Sequence, residues 1–314
     1  MKRLTYKLLS SILTLFIVTL LIFFMFQVLP GNPAQIILGI DADEAQIKQL
    51  EQKLGLDEPL TTRYMQWVQG IFTGDLGESL KYQMPVIDVL KQRVLVTLAL
   101  ALSSLVLTAL LAIPLGIFIA MKQDKWYAFV LNLFTQLGIA IPSFWFGFLL
   151  IYLFGVKLGW FPTFGYTAWS ENPMQAIRSF ILPSVAIAVS NIAVVVRYLR
   201  NTILDQTTMD YVRTAKSKGV KDHQVMSRHI VRNAFIPVLT IMGMIVADTI
   251  AGSSIIENVF ALPGLGSLLI QSITSRDFPL IQALVSYIAI FVIVINIVID
   301  LLYRIIDPRI KKKG

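Results

Sequence analysis

Apolar residues in this chain come in runs too long for the interior of a water-soluble domain, and the polar residues collect in the gaps between them. The hydrocarbon core of a bilayer is about 30 Å thick and an α-helix rises about 1.5 Å per residue, so a spanning helix needs roughly 20 mostly apolar residues. Six stretches meet that requirement, at residues 8–29, 94–121, 128–154, 180–199, 237–259 and 281–303. The first is too long and uninterrupted for a removable signal peptide and has no small-residue cleavage site, so it is expected to stay as an anchor. The second and third are separated only by Lys122-Gln-Asp-Lys-Trp126 and are predicted to form a hairpin. Pro142, flanked by Gly138 and Gly147, predicts a kink in the third; Pro183 and Asn191 interrupt the fourth, and Asp248 and Gly252 lie in the fifth. The fold class that follows is all-α, a polytopic membrane protein with six transmembrane helices.

Two gaps carry patterning of their own. Residues 30–93 are too long for a plain connection. Asp43-Glu44 followed by Ile47, Leu50, Leu54 and Leu56 predicts an amphipathic helix ended near Gly55, and Tyr64, Trp67, Val68 and Ile71 predict a second. In the gap before the fifth span, Thr207-Thr208-Met209-Asp210 fits a capping-box start for a short helix reaching Lys218. Gly219 closes it in the left-handed conformation, and Lys216 and Lys218 complement the negative end of its dipole. Asp222 is expected to cap a separate second helix carrying Val225, Met226, Ile230, Val231 and Ala234 toward Pro237. The organisation is then residues 1–29 as the N-terminal end and first span, 30–93 as a helical cap, 94–303 as a five-helix core with a loop at 200–236, and 304–314 as a basic tail.

Composition agrees with the pattern, at 56% hydrophobic and 15% charged residues. Charge adds orientation, because Lys and Arg are retained in cytoplasmic loops. Of 27 basic residues, 18 fall at the N-terminus, the first hairpin turn, the loop before the fifth span and the tail; the opposite side carries 9 basic against 12 acidic residues. Both termini are expected in the cytoplasm and the 30–93 cap outside. The net charge of +8 is accounted for by topology, so nucleic acid is not an expected partner and membrane lipid is. The basic loop is compatible with a lipid surface or with the groove of a protein partner.

Catalytic raw material is thin. There is no cysteine, and the only histidines, His223 and His229, are six apart rather than at the four-residue spacing of a zinc pair. No HExxH, GxSxG or GxxxxGK[ST] occurs, so the chain is not expected to hydrolyse ATP, bind a cofactor or metal, or act as an enzyme. Polar residues within spans are the remaining candidates, since a charge in hydrocarbon costs several kcal/mol and usually faces a bundle interior or water. Asp248 either lines a path or hydrogen-bonds Ser190 or Asn191. Asn132, Gln136 and Ser143 either join helices or line the same path, and Asp300 is placed to pair with Arg304.

Seven short motifs, in order and correctly spaced, carry a resemblance. They are Pro30-Gly-Asn-Pro33, Leu54-Gly-Leu-Asp-Glu-Pro59, Gly74-Asp-Leu-Gly77, Ile141-Pro-Ser143, Lys157-Leu-Gly-Trp160, Val212-Arg-Thr-Ala-Lys-Ser-Lys-Gly219, and Gly264-Leu-Gly266 with Arg276-Asp277. Across essentially its whole length the chain resembles the inner-membrane permeases of ATP-binding-cassette importers, specifically the dipeptide, oligopeptide and nickel permease B type. The family's general E-A-A…G signature survives only in Ala215 and Gly219, as in the peptide-type subfamily. The resemblance implies the type I importer permease fold in a bacterial inner membrane. It implies a second homologous permease, two cytoplasmic ATP-binding subunits that use ATP and Mg, and an extracytoplasmic substrate-binding protein. It also implies that Asp210, Arg213, Thr214, Ala215, Lys218, Gly219 and Asp222 form the loop that couples to the ATPase. The cargo implied is a di- or oligopeptide, with nickel or a metal chelate as the alternative; an ion-coupled secondary transporter or channel using Asp248 is the reading from another class.

Overall fold

The computed structural model describes residues 2–28, 33–38, 43–53 and 55–306. Pro30-Gly-Asn of the first motif, Leu54, and the tail residues Arg309, Lys311, Lys312 and Lys313 lie outside the described residues, as do the side chains of Asp300 and Arg304. Among the described residues all regular structure is helical apart from one isolated bridge between Glu78 and Pro85. The helices are α1 (Lys2–Val28), α2 (Pro33–Leu38), α3 (Glu44–Lys53), α4 (Leu60–Thr73), α5 (Val86–Met121), α6 (Trp126–Ala140) and α7 (Ser143–Leu150), the last continued by a π-helical segment Ile151–Lys157. They continue with α8 (Pro173–Thr207), α9 (Asp210–Ser217), α10 (Asp222–Gln224), a π segment Val225–Ile230, α11 (Val231–Gly252), α12 (Ser254–Val259), α13 (Leu265–Thr274) and α14 (Phe278–Ile306). Four helical segments are long and apolar enough to cross a membrane: α5, α8, the unbroken run Asp222–Gly252, and α14. The pair α6 and α7, bent by 101°, makes a fifth if counted as one span. The first predicted span corresponds to α1, whose described apolar stretch is Leu9–Met25.

The chain divides into two compact units, Met1–Val96 with Pro263–Ile293, and Thr97–Leu262 with Val294–Gly314. In the first unit, α4 docks on α1 through an aromatic cluster. Phe23 meets Tyr64 edge-on at 5.4 Å and Trp67 at 6.1 Å, and the Thr19 hydroxyl lies 3.0 Å from the Tyr64 hydroxyl. The two helices expected between residues 30 and 93 are present as α3 and α4.

The loop after α4 is tied to the start of α14 by a buried carboxylate. Asp277 accepts hydrogen bonds from the Ser79 hydroxyl, from the Lys81 amide at 3.1 Å and, as the N-cap of α14, from the Leu280 amide at 3.3 Å. Ser79 in turn accepts from the Tyr82 amide, and the Gly77 carbonyl receives the Val86 amide. Two of the sequence motifs thus meet here, Gly74–Gly77 leading into the loop and Arg276-Asp277 holding it. Beneath them Leu90, Leu265, Leu268, Leu280 and Leu284 form a buried core.

In the second unit α8 is the central element. Of its most apolar 18 residues 61% are buried, against 33% for α5 and 22% for α14, and it packs on α6, α7, α11 and α12. Small residues permit the close crossings. A Cβ on Gly138 would sit 3.1 Å from the Ala193 Cβ, and one on Gly147 would sit 3.1 Å from the Phe260 ring. Pro183 lies inside α8 without ending it, whereas Pro142 separates α6 from α7 as a break rather than a kink in one helix.

Three further expectations need correction. The fifth span does not run on to Val259: α11 ends at Gly252, Ser253 turns the chain, and α12 follows. Asp222 does not cap a separate helix, because Lys221 holds the N-cap position and the helix from Asp222 continues unbroken to Gly252. The capping box at α9 is also absent. Met209 occupies the N-cap, while the Thr207 and Thr208 hydroxyls donate back to the Leu204 and Asp205 carbonyls.

Asp277→Ala is expected to raise hydrogen exchange at residues 79–86 in the purified protein, because two amides and a hydroxyl lose their common acceptor; unchanged protection there would refute the tie. Gly138→Leu should cost about 1–3 kcal/mol by forcing α6 off α8, read as a lower thermal midpoint in detergent.

Candidate translocation pocket and basic loop

A cleft of about 160 Å³ opens in the second unit and is lined by Ser143, Ile187, Ser190, Asn191, Asp248, Thr249, Gly252, Ser253 and Ile256. Four elements contribute: the start of α7, the middle of α8, the end of α11 and the start of α12. Both helix interruptions of this unit lie at its wall, since Ser143 follows the Pro142 break and Gly252-Ser253 form the other. Non-helical backbone at membrane depth is tolerated where it is buried in protein or borders a water-filled cavity.

Of the predicted path residues, the cleft gathers Ser143, Ser190, Asn191 and Asp248. Asn132 and Gln136 are not among its lining; Asn132 supplies the backbone carbonyl that accepts from the buried Thr135 hydroxyl. Asp248 sits beside Ser190 and Asn191 without bonding them. Its carboxylate has no hydrogen bond or ion pair to any described residue, and the Ser190 hydroxyl donates instead to the Ile141 carbonyl, at 3.4 Å. The Thr249 hydroxyl is committed to the Ile245 carbonyl and the Ser253 hydroxyl to Glu257.

Glu257 is the residue that sequence reasoning missed. Fully buried on α12, it accepts from the Thr97 hydroxyl and the Ser253 hydroxyl, each at 2.7 Å, so it anchors the wall of the cleft to α5. A carboxylate inside a predicted span was a signal in the sequence, but its partner Thr97 is 160 residues away.

The basic loop has a different construction. α9 buries Val212 and packs Tyr211 and Ala215 on a cluster that includes Leu199 and Ile203 of α8, Val225 and Ile230. Its other face leaves Asp210, Arg213, Thr214 and Lys218 exposed, with Gly219 and Asp222 exposed beyond it. At the C-terminus the Val220 amide donates to the Ala215 carbonyl and the Gly219 amide to the Lys216 carbonyl, the paired bonds of a Schellman closure. Gly219 has φ +75°, as that closure requires. Lys216 reaches Asp222 at 3.1 Å and Arg213 approaches Asp210 at 4.0 Å; both pairs are exposed, and each contributes at most about 1 kcal/mol. The loop therefore brings the predicted coupling residues into one turn, with Ala215 on its packed side and the rest on its open side.

Comparison with known proteins assigns the family. Residues 112–312 match the binding-protein-dependent transport system inner membrane component, and residues 1–101 match the N-terminal region of the same kind of membrane component. A putative peptide transport system permease protein of Brucella abortus (strain 2308) is 38% identical over 302 residues, covering 96% of each chain. The glutathione transport system permease protein GsiC of Escherichia coli (strain K12) is 38% identical over 307 residues, covering 98% of each. Among solved structures, the inward-facing MetNI methionine ABC transporter superimposes with a TM-score of 0.55 at 17% identity, over 70% of this chain and 96% of that one, a likeness of fold. The chain belongs to the binding-protein-dependent transport system inner membrane components, the multi-pass permease subunits of ABC importers.

Proposed function

We propose that this permease forms half of the path for di- or oligopeptides in an ATP-driven importer of a bacterial inner membrane. The observation that carries the cargo is the 38% identity, over almost the full length, to permeases named for peptide and glutathione transport. In this reading a second homologous permease supplies the other half of the path, an extracytoplasmic binding protein delivers the peptide, and two cytoplasmic subunits hydrolyse ATP with Mg. The termini and the 200–236 loop face the cytoplasm, and residues 30–93 form the external cap.

The chemistry asked of this chain is conformational. Closure of the ATPase pair on ATP displaces the docked loops, and the bundle exchanges inward for outward access. The open face of α9, with Asp210, Arg213, Thr214, Lys218, Gly219 and Asp222, is the surface offered to an ATPase groove, and its packed face, through Val212 and Ala215, joins it to the bundle. The cleft with Ser143, Ser190, Asn191 and Asp248 is the section of path belonging to this chain.

Uptake of labelled dipeptide, glutathione and nickel by the reconstituted importer tests the cargo. Peptide uptake that needs ATP and the binding protein is expected; nickel uptake alone would favour the metal reading, and uptake that persists without the ATPases and collapses with the ion gradient would favour a secondary transporter. Gly219→Trp tests the loop. No atom lies within 4 Å of a Cβ built there, so the fold loses about 1–2 kcal/mol from the left-handed backbone while the open face gains an indole. Membrane insertion should be retained, with loss of ATPase co-purification and a fall in uptake of at least about tenfold; full uptake would exclude a docking role.

A further inference from the structure

We infer that Asp248 is the counter-ion for the protonated amino terminus of a peptide in transit, with Asn191 and Ser143 placed to bond its first amide. The inference rests on the importer reading above and names the end of the cargo that this half of the path recognises.

Three observations converge on it. Asp248 is the only charged residue among those lining the cleft, and it has no partner among the described residues. Asp248 is exposed to the opening, and an unpaired carboxylate on a helix apolar enough to span a membrane costs several kcal/mol unless water or a ligand satisfies it. Second, the polar lining separates into spent and unspent groups. The hydroxyls of Ser190, Thr249 and Ser253 already donate to Ile141, Ile245 and Glu257, whereas the Ser143 hydroxyl and the Asn191 amide make no hydrogen bond to described residues. One anion, one hydroxyl and one carboxamide complement an ammonium followed by a peptide group, because the carboxylate only accepts while the amide side chain both donates and accepts. Third, the cleft is bounded by the two interrupted helices, and interrupted backbone among membrane-length helices is tolerated where it borders a water-filled cavity.

Size and sign narrow the ligand further. About 160 Å³ is below the ~300–1,000 Å³ of sites that enclose a drug-sized molecule, so one terminus enters rather than a whole peptide. No Lys, Arg or His is among the residues lining the cleft, so no side-chain cation there can pair a peptide carboxylate.

The test uses the complete importer in proteoliposomes, with the binding protein unaltered and its loading by each probe measured separately. Labelled dialanine and its N-acetyl derivative are compared in the wild type, in the near-isosteric Asp248→Asn and in Asp248→Glu. Uptake per loaded binding protein of the free-amine probe should fall at least about tenfold in Asp248→Asn, the scale of a lost charge-assisted hydrogen bond. The N-acetyl probe, which has no ammonium to lose, should fall by much less, so that the ratio of the two rates changes by several fold, and Asp248→Glu should restore part of that ratio. An equal loss for both probes would assign Asp248 to packing or gating and overturn the inference, as would no loss for either. Both outcomes leave the importer reading standing, whereas a wild-type complex without ATP-dependent uptake removes that reading and this one together.

Discussion

A backbone amide in hydrocarbon has no water to bond, so every peptide group at membrane depth must be satisfied within the protein. That constraint explains why the described residues are helical almost throughout and why the exceptions matter. In the second unit the apolar helices are interrupted at Pro142 and at Ser253, and both interruptions border the same cleft. The carbonyl of Ile141, which loses its helical partner at the break, is met by the Ser190 hydroxyl of α8. Next to the other break, Ser253 and Thr97 converge on Glu257. The polar side chains of this unit are thus the cost of opening two helices, and α8, the most buried of the long apolar helices, is the element on which both openings are supported.

Three carboxylates differ in what meets them, two of them buried and Asp248 exposed. Asp277 and Glu257 are fully buried and bonded to several donors, one holding the loop at residues 77–86 and the other the wall of the cleft. Asp248, on an apolar helix, is bonded to none of the described residues. Removing a partner from a buried, bonded carboxylate destabilises the fold, while a carboxylate left open is available to a ligand. The same residue type therefore serves architecture in two places and, under the proposed reading, recognition in a third.

Much of this was legible along the chain. Run length located the long helices, and glycine at position 219 marked the end of α9, because both signals are local. What escaped reading depends on competition or distance. The Thr207 and Thr208 hydroxyls could cap α9, but they return to carbonyls of α8 three residues back, so the motif was present without its bond. Pro237 suggested a boundary that a membrane helix simply absorbs, and Gly252-Ser253 end a helix without any proline to announce it. The cleft draws residues from four elements between positions 143 and 256, a grouping no window along the sequence can contain.

The unbroken helix from Asp222 to Gly252 joins the exposed turn around Gly219 to the cleft that holds Asp248. Twenty-six residue steps separate Asp222 from Asp248, a reach of roughly 39 Å at about 1.5 Å per residue. A tilt of about 5° at the loop end would carry the carboxylate sideways by about 3 Å, the length of a hydrogen bond. Under the proposed reading, leverage of that order would let a small rotation at the loop decide whether an ammonium at Asp248 is held or released.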